Sequence, residues 1–374
     1  MSHDLMRKFP LCAATHDQGV RWLFDLATIL LLLDCRPGDR VLDLGAGSGF
    51  SSEMLARFGY DVVAIDPDIT ALATNRSRGG HDAERVDGRV FVAAGVAETV
   101  PCAAESFDGA FCMNVLHHVP DLDAALSELA RVLRPGRRAV FCEPGVDHMR
   151  AEETQRAVRE HGETDRPFDV LVFLETARSC GFSEAMLSAT LQSALRLLPI
   201  QEVSLYLSNQ HPRPHMTPAG VIDELHRRHA YGMLIREGTR ERTSRYPGTL
   251  RASIELPNMP TVLQRGRPAA LRIQVTNAGD TLWLSQRRKL GGFVTFGCKL
   301  LKADGRLVSD TIGRTPLPHD VAPSARVDLS VALEIPESIS PGIYTLSFDM
   351  VNELVCWFSM LPDNTPQNHR VTIG

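Results

Sequence analysis

Short apolar stretches alternate with amphipathic stretches over the first half of the chain. Apolar runs bounded by turn residues predict strands at residues 40–44, 61–66, 90–93, 107–113 and 139–143. Apolar residues at helical spacing predict intervening helices at 51–58, 69–77 and 122–133, and Arg134-Pro135-Gly136 is expected to end the last one. Strands separated by helices of about ten residues imply right-handed crossovers, so the pattern predicts a doubly wound, mostly parallel α/β sheet.

The pattern is less regular between residues 145 and 250. Residues 145–167 are polar and predict a helix with a loop, and residues 169–180 predict a further helix that Gly181 ends. Residues 182–208 carry enough apolar positions for one or two last strands. Residues 226–251 are rich in Arg, and we interpret them as a solvated helix and linker, with an electrostatic docking surface as the alternative.

The period of the pattern changes after about residue 250. Short strand patterns follow one another there without a helical period, at residues 270–275, 293–300, 327–333, 344–350 and 355–358. Asn-x-Gly, Asp-Gly and Pro-Gly turns separate them, as in an antiparallel sandwich. The sequence thus predicts an α/β domain with an N-terminal lid helix at residues 1–210, an Arg-rich helical linker at 211–250, and an all-β sandwich at 251–374.

Composition and charge narrow the range of partners. The 374 residues carry a formal net charge of −5, which gives no electrostatic reason to expect nucleic acid. The most apolar run, residues 22–33, contains Asp25 and is shorter than the roughly 20 residues of a membrane span, so no membrane partner is expected. The eight cysteines include no Cys-x-x-Cys pair, which predicts reduced thiols in a cytoplasmic protein.

The clearest chemical signal is the segment Val41-Leu-Asp-Leu-Gly-Ala-Gly-Ser-Gly49. An acid closes a predicted strand, and glycines follow at alternate positions, where they let the backbone turn tightly and approach a ligand. The next predicted strand ends in Asp66. In nucleotide-binding doubly wound folds, an acid at this place accepts hydrogen bonds from ribose hydroxyls. The glycine spacing differs from the Gly-x-Gly-x-x-Gly fingerprint of dinucleotide-binding proteins, so this loop is not required to bind a pyrophosphate.

This segment resembles the class I S-adenosylmethionine-dependent methyltransferases, and in particular the methyltransferase type 11-like members. The resemblance continues through Ser106-Phe-Asp-Gly-Ala-Phe-Cys-Met-Asn-Val-Leu-His-His-Val119, through Leu126-x-Glu-x-x-Arg-Val-Leu-Arg-Pro-Gly136, and to the strand that ends at Glu143. It implies a Rossmann-like fold with S-adenosyl-L-methionine as the cofactor. The activity it implies is transfer of a methyl group to an oxygen or nitrogen of a small molecule or a glycan.

The resemblance also implies roles for matching residues. Those expected to bind the cofactor are Asp43, Gly45, Ala46, Gly47, Gly49, Asp66, Pro67, Ala97, Glu98 and Asn114. The first five would hold its methionine end. Asp66 would bind both ribose hydroxyls with Pro67 beside the adenine, and the backbone carbonyl of Asn114 would meet the amino group.

One position departs from the family pattern. An acid often follows a glycine after the third strand and faces the adenine amino group, whereas this chain has Val96 after Gly95. A valine side chain accepts no hydrogen bond. Adenine recognition is therefore expected to rest on the backbone near Ala97 or on Glu98.

Methyl transfer from a sulfonium has a neutral leaving group, so the protein needs to align the nucleophile and sometimes to remove a proton. The candidate bases are His117, His118, His16 and Glu143, because each is expected near the carboxyl ends of the strands. The alternative for the His-His pair is packing and loop structure. We expect no metal site, since no carboxylate or cysteine completes a ligand set with the histidines of residues 211–229.

The C-terminal region is similar to immunoglobulin-like sandwiches, including ones attached to bacterial polysaccharide-modifying and exporting proteins. The stretches that carry this likeness are Asn277-Ala-Gly-Asp-Thr-Leu-Trp283, Pro341-Gly-Ile-Tyr344 and Val355-Cys-Trp-Phe358. Their aromatic residues either fill the sandwich core or form a sugar-stacking face.

Two other functions stay open at this stage. One is a binding or scaffolding protein that keeps the cofactor fold, and the other is an S-adenosylmethionine-dependent enzyme of another reaction type. In both, the sandwich would serve as a glycan- or protein-binding module. The oligomeric state is open, and a homodimer is one of the alternatives.

Overall fold

A computed structural model of the chain describes residues 16–68, 88–150, 154–155, 159, 166–188, 200–213, 217–287 and 291–374. The chain divides into two compact units, Met1–Arg240 and Glu241–Gly374. The described α-helices all belong to the first unit: α1 His16–Leu33, α2 Phe50–Arg57, α3 Leu122–Val132, α4 Val170–Ser179, α5 Val203–Leu207 and α6 Pro218–Arg228. The helix expected at residues 69–77 lies outside the described residues. None of the described helices is long and apolar enough to cross a membrane.

The first unit is built on a seven-stranded sheet. Its strands are β1 Arg40–Leu44, β2 Asp61–Asp66, β3 Arg89–Ala94, β4 Phe107–Met113, β5 Leu133–Pro144, β6 Phe182–Leu187 and β7 His229–Arg236. Their order is β3-β2-β1-β4-β5-β7-β6. Strands β1 to β5 pair in parallel, whereas β7 is antiparallel to both of its neighbours. The expected Rossmann-like α/β sheet is present, and it is mixed.

Both faces of this sheet are covered, which explains its continuous apolar strands. On one face, Leu42 and Leu44 of β1 share a buried cluster with Ala110 of β4. On the other face, Val41 and Phe111 pack in a cluster that includes Leu26, Ile29 and Leu33 of α1. The sheet is therefore a central layer between helices, and its carboxyl edge is where loops are free to form a site.

Strand β7 corrects the expected helical linker at residues 211–250. Helix α6 lies where a helix was expected, but the chain then re-enters the sheet and pairs with β5 from Pro144↔His229 to Arg138↔Ile235. Its residues Ala230, Tyr231 and Leu234 are buried. The Arg residues that suggested a linker flank this strand, and its last residue, Arg236, is half-buried.

The last strand expected within residues 182–208 is present as β6, Phe182–Leu187, and residues 200–207 of the same stretch form a 3₁₀ turn followed by α5. The segment Arg134-Pro135-Gly136 does not lie between a helix and a strand, because α3 already ends at Val132 and β5 begins at Leu133. The register between β4 and β5 shifts between Phe107 and Gly109, so the Pro-Gly pair is an irregularity inside the strand.

The second unit consists of a three-stranded and a six-stranded sheet. Its strands are β8 Ala252–Glu255, β9 Val262–Leu263, β10 Ala269–Asn277, β11 Val294–Lys302, β12 Leu307–Pro316, β13 Arg326–Leu333, β14 Gly342–Asn352, β15 Cys356–Trp357 and β16 Gln367–Ile373. One sheet has the order β13-β10-β8, and the other has the order β12-β11-β14-β16-β9 with β15 beside β14.

Side chains from both sheets of the second unit share one core. Ile273 of the small sheet and Phe296 and Phe348 of the large sheet belong to the same buried cluster. Trp283 is fully buried in it and meets Phe358 edge to face, with ring centroids 5.4 Å apart. The region is therefore β-rich and double-layered as expected, and Trp283 is a core residue.

Candidate functional site

The strand order creates a crevice at the carboxyl edge of the first sheet. The chain runs from β1 outward to β2 and β3 on one side and from β4 to β5 on the other. In open α/β sheets, ligands bind outside the carboxyl ends of the strands at such a reversal of strand order. The loops after β1, β2, β4 and β5 meet there, and these loops carry most of the site residues expected from the sequence.

The glycine-rich loop after β1 is fixed by backbone contacts to β2. Gly45, Gly47 and Gly49 all have left-handed φ angles, of 75°, 52° and 73°, which favour glycine. The N–H of Gly45 donates to the carbonyl of Ile65 at 2.8 Å. A Cβ at Gly45 would lie 2.3 Å from Cγ2 of Val115, so the loop also packs tightly against the segment that follows β4.

Asp43 is buried beneath this loop. The hydroxyls of Ser51 and Ser52, in the first turn of α2, both donate to its Oδ2 at 2.6 Å. Burial raises the pKa of Asp43 to about 6, the two serine hydrogen bonds act in the opposite direction, and the nearby charge of Asp66 raises the pKa further. Asp43 therefore joins the end of β1 to the start of α2, and its contact with a cofactor stays a prediction.

Asp66 lies half-buried at the end of β2 with its carboxylate fixed by two backbone groups. Oδ2 accepts the N–H of Gly47 at 2.7 Å, and Oδ1 accepts the N–H of Asp68 at 2.8 Å. Each carboxylate oxygen has a second lone pair, so both can accept one more hydrogen bond. A pair of vicinal hydroxyls matches this arrangement, and the exposed Pro67 lies next to it.

The expected adenine side is open at Val96, whose side chain is 45% exposed. Ala97 is buried, whereas Oε1 of Glu98 accepts the N–H of Asp121, which caps α3, at 3.3 Å. Glu98 is therefore already engaged by the loop before α3. On the other side of the crevice, Asn114 has a left-handed φ of 56°, and its N–H donates to the carbonyl of Cys142 at 2.8 Å.

A buried carboxylate organises the loop after β4. Oε1 of Glu143, at the end of β5, accepts the N–H groups of Val115 and Leu116 at 3.0 and 3.1 Å. Its Oε2 lies 2.8 Å from Nδ1 of His117, and both of these side chains are buried. Glu143 thus makes three contacts to one loop and holds the His117 ring in place.

The structure brings three of the four candidate bases together. The rings of His117 and His118 are 3.9 Å apart between centroids, and His118 is exposed. His16 begins α1, but its side chain lies outside the described part of the chain. Sequence reasoning missed His148, whose ring lies 5.1 Å from that of His117. Its position five residues after Glu143, beyond the same strand, was the available signal.

Comparisons with known proteins find similarity in the first half of the chain. Residues 42–141 match the family model described as "Methyltransferase domain". The chain is 41% identical over 105 residues to a ubiquinone biosynthesis O-methyltransferase of Hahella chejuensis, an alignment covering 28% of this chain and 43% of that protein. It is 35% identical over 157 residues to a demethylmenaquinone methyltransferase of Mycobacterium marinum, covering 38% and 64%. Residues 42–141 are therefore similar to a methyltransferase domain, in the part of the chain where the motifs lie.

These similarities are partial. The chain spans about half the length of the curated relatives it matches. Among solved structures, an S-adenosylmethionine-dependent methyltransferase from Mesorhizobium loti aligns with a TM-score of 0.43 at 18% identity, over 59% of this chain and 99% of that one.

Proposed function

We propose that this protein is a class I S-adenosylmethionine-dependent methyltransferase acting on an oxygen or nitrogen of a small molecule. The observation that carries the proposal is Asp66. Its carboxylate is fixed at the strand-order reversal by the N–H groups of Gly47 and Asp68, and each oxygen keeps a lone pair for a ribose hydroxyl. The methyltransferase domain over residues 42–141 supports the same conclusion.

The residues present fit this cofactor. Asp66 would accept hydrogen bonds from the ribose hydroxyls. The left-handed Gly47 and Gly49 would let the backbone approach the methionine end, and the carbonyl of Asn114 would accept from the amino group. The exposed Val96 leaves adenine recognition to backbone groups near Ala97. When bound, S-adenosylmethionine supplies a methyl group on a sulfonium centre, whose departure leaves a neutral sulfide.

The chain's part in the reaction is to hold the acceptor in line and to take its proton. We assign the proton acceptor to His118, because its ring is exposed whereas His117 and Glu143 are buried. Oε2 of Glu143 lies 2.8 Å from Nδ1 of His117 and holds that ring, whose centroid is 3.9 Å from the centroid of the His118 ring. His117 and Glu143 are therefore positioning residues. A neutral imidazole can take the proton of an activated hydroxyl.

Calorimetric titration with S-adenosylmethionine and its demethylated product tests the cofactor. Charge-assisted hydrogen bonds to a carboxylate contribute about 1.5–3 kcal/mol, so Asp66→Ala is expected to raise Kd at least about tenfold. Asp61→Ala is the matched control, because Asp61 begins the same strand at its opposite end and pairs with Arg89. Wild-type protein that binds neither compound would contradict the proposal.

Acceptor chemistry is tested with small phenols and catechols, because one relative is named an O-methyltransferase. His118→Gln is expected to lower kcat and to leave the KM for the cofactor unchanged. His117→Gln is expected to lower stability as well. Unchanged turnover in His118→Gln would show that alignment alone drives the reaction.

A cofactor-binding protein without methyl transfer is the second candidate, and the observation that favours it is Val96. The family often has an acid there, whereas this position is apolar and 45% exposed. The test is to measure cofactor binding and turnover with wild-type protein and with Val96→Asp. If both bind the cofactor and neither turns over any acceptor offered, this candidate or an enzyme of another reaction type is favoured.

We propose that the second unit is an immunoglobulin-like accessory domain that binds a glycan or a protein. Its double-layered architecture and single core support this assignment. A chain of residues 241–374 is expected to unfold cooperatively by itself, and a chain of residues 1–240 is expected to keep cofactor binding. If residues 1–240 bind no cofactor while the full chain does, the two units are one functional domain.

A cytoplasmic location is proposed from the thiols. The seven described cysteines form no disulfide, which suits a reducing compartment. Labelling of the intact protein with a thiol reagent under denaturing conditions, without prior reduction, is expected to modify every cysteine.

A further inference from the structure

The second unit contains a groove of about 610 Å³ beside strand β10, which we name the β10 groove. This volume lies in the range of about 300–1,000 Å³ that is typical of ligand clefts. One wall is the β10 strand with the residues before it, and the opposite wall is the segment that leads from β8 to β9. The residues used below are Pro257, Pro260, Arg267, Pro268, Ala270 and Arg272.

One edge of β10 is open along this groove. Strand β8 pairs only with the second half of β10, from Asn277↔Ala252 to Gln274↔Glu255. Two residues beyond Glu255 comes Pro257, which has no N–H to continue the pairing. The chain then joins the other sheet as β9 beside β16. Residues 269–273 therefore pair with β13 on one edge and with no described strand on the other.

The free backbone groups of this edge can be identified from the register. The N–H of Asn277 donates to the carbonyl of Ala325, and the carbonyl of Asn277 accepts the N–H of Ser324. Both backbone groups of Asn277 therefore point toward the β13 side. Backbone groups of successive residues point to opposite edges in an antiparallel sheet. Ala270 and Arg272 therefore direct their N–H and C=O groups into the β10 groove, where no described residue bonds to them.

The charge of the groove selects its occupant. Arg267 and Arg272 line it and are exposed, and no acidic residue lies among its lining residues. A second copy of the same edge would bring Arg272 toward an identical arginine, which disfavours self-pairing. An acidic extended segment matches both the open backbone edge and the positive charge of the groove. Its backbone pairs with Ala270 and Arg272 while its carboxylates face the arginines.

We propose that the β10 groove binds an extended acidic peptide segment of a partner protein, which adds to the small sheet as a strand next to β10. The proposal does not depend on the methyltransferase activity, because every contact lies in the second unit. It gives the second unit a defined role in recruiting a protein through main-chain hydrogen bonds.

The test uses the full-length chain and a fluorescein-labelled peptide of alternating Glu and Val, followed by fluorescence anisotropy. A Lys-Val peptide of the same length is the control probe. We expect the acidic peptide alone to bind, and the double variant Arg267→Glu/Arg272→Glu to weaken binding at least about tenfold. Arg370→Glu, an exposed charge reversal on β16 outside the groove, is the matched control and is expected to bind as the wild type does.

A second variant separates strand addition from simple charge attraction. Ala270→Pro removes an N–H that faces the groove and leaves the pairing with β13 intact, so it is expected to weaken peptide binding several-fold. In the wild type, amide hydrogen exchange at Ala270 and Arg272 is expected to slow when peptide is added, a measurement that needs no variant.

Three results would overturn the proposal. The first is an acidic peptide that fails to bind or that binds the double variant equally well. The second is amide exchange at Ala270 and Arg272 that stays unchanged, together with an oligogalacturonate that displaces the labelled peptide as effectively as unlabelled peptide does. That result would indicate an anionic glycan site. The third is sedimentation that shows a dimer which Ala270→Pro dissociates, because the open edge would then pair with a second copy.

Discussion

Asp43→Asn should stabilise the folded protein at neutral pH while weakening cofactor binding. The Asp43 carboxylate is buried, and its pKa is about 6 in the folded chain against an ordinary value of 3.8. Burial is the main cause, so its charged form is costly in the folded state. The amide of Asn carries no charge, and the hydroxyls of Ser51 and Ser52 can act as donors or acceptors to it.

The magnitude follows from the pKa shift. The difference between 3.8 and about 6 is close to two units, each worth about 1.4 kcal/mol, so ionised Asp43 lowers the free energy of unfolding by up to about 3 kcal/mol at pH 7. Because the folded state holds the proton more tightly, the stability from protonated Asp43 is fully present below pH 3.8 and is lost as pH rises through about 6. The gain from Asn should therefore be near zero at pH 4 and largest at pH 7.

The assay is urea unfolding followed by helical ellipticity, since the described α-helices all lie in the first unit. Asp25→Asn is the matched control. Asp25 is buried in α1, its pKa is also raised to about 6 by burial, and it accepts the hydroxyl of Tyr231 at 2.5 Å. It should show the same pH-dependent gain with unchanged cofactor affinity, whereas Asp43→Asn should raise the cofactor Kd about tenfold.

Two outcomes would refute this reasoning. If Asp43→Asn changes stability equally at pH 4 and pH 7, the charge of Asp43 is not the source of the cost. If both variants keep wild-type cofactor affinity, Asp43 serves only to join β1 to α2.

The other predictions concern single contacts of the site. Gly45→Ala should destabilise the protein by about 1–3 kcal/mol in urea, because the residue has a left-handed φ and its Cβ would meet Val115, and Val115→Ala should restore part of the loss. Val96→Asp should leave stability unchanged and cofactor affinity equal or tighter by calorimetry, since the side chain is 45% exposed; a large loss would show that the ligand packs against valine. Glu143→Gln should cost about 1–3 kcal/mol in urea, because one amide oxygen replaces two carboxylate oxygens that meet three donors; unchanged stability would contradict those contacts.

Local patterns predicted much of the first unit. Strands β1, β2 and β4 were expected with the bounds that the structure has. Each is an apolar run that is bounded by turn residues and buried in a sheet covered on both faces. The glycine-rich loop was also predictable, since a left-handed backbone at Gly45 and Gly47 is a requirement of those residues themselves. Strand β7 was not, because its pairing with β5 joins residues about ninety positions apart and no local signal specifies it.

The site shows the same division. The sequence by itself determined which chemistry-bearing residues lie at or just after the strand ends, because strand ends and glycine turns are local properties. Asp43, Asp66, His117 and Glu143 were all named from it. Only the tertiary structure decided what those side chains face. Asp43 is buried with its carboxylate bonded to the serines of α2, and Glu143 is buried with its carboxylate bonded to N–H groups after β4. Neither arrangement can be predicted locally, because hydrogen-bond partners and desolvation depend on segments that meet only in the folded chain.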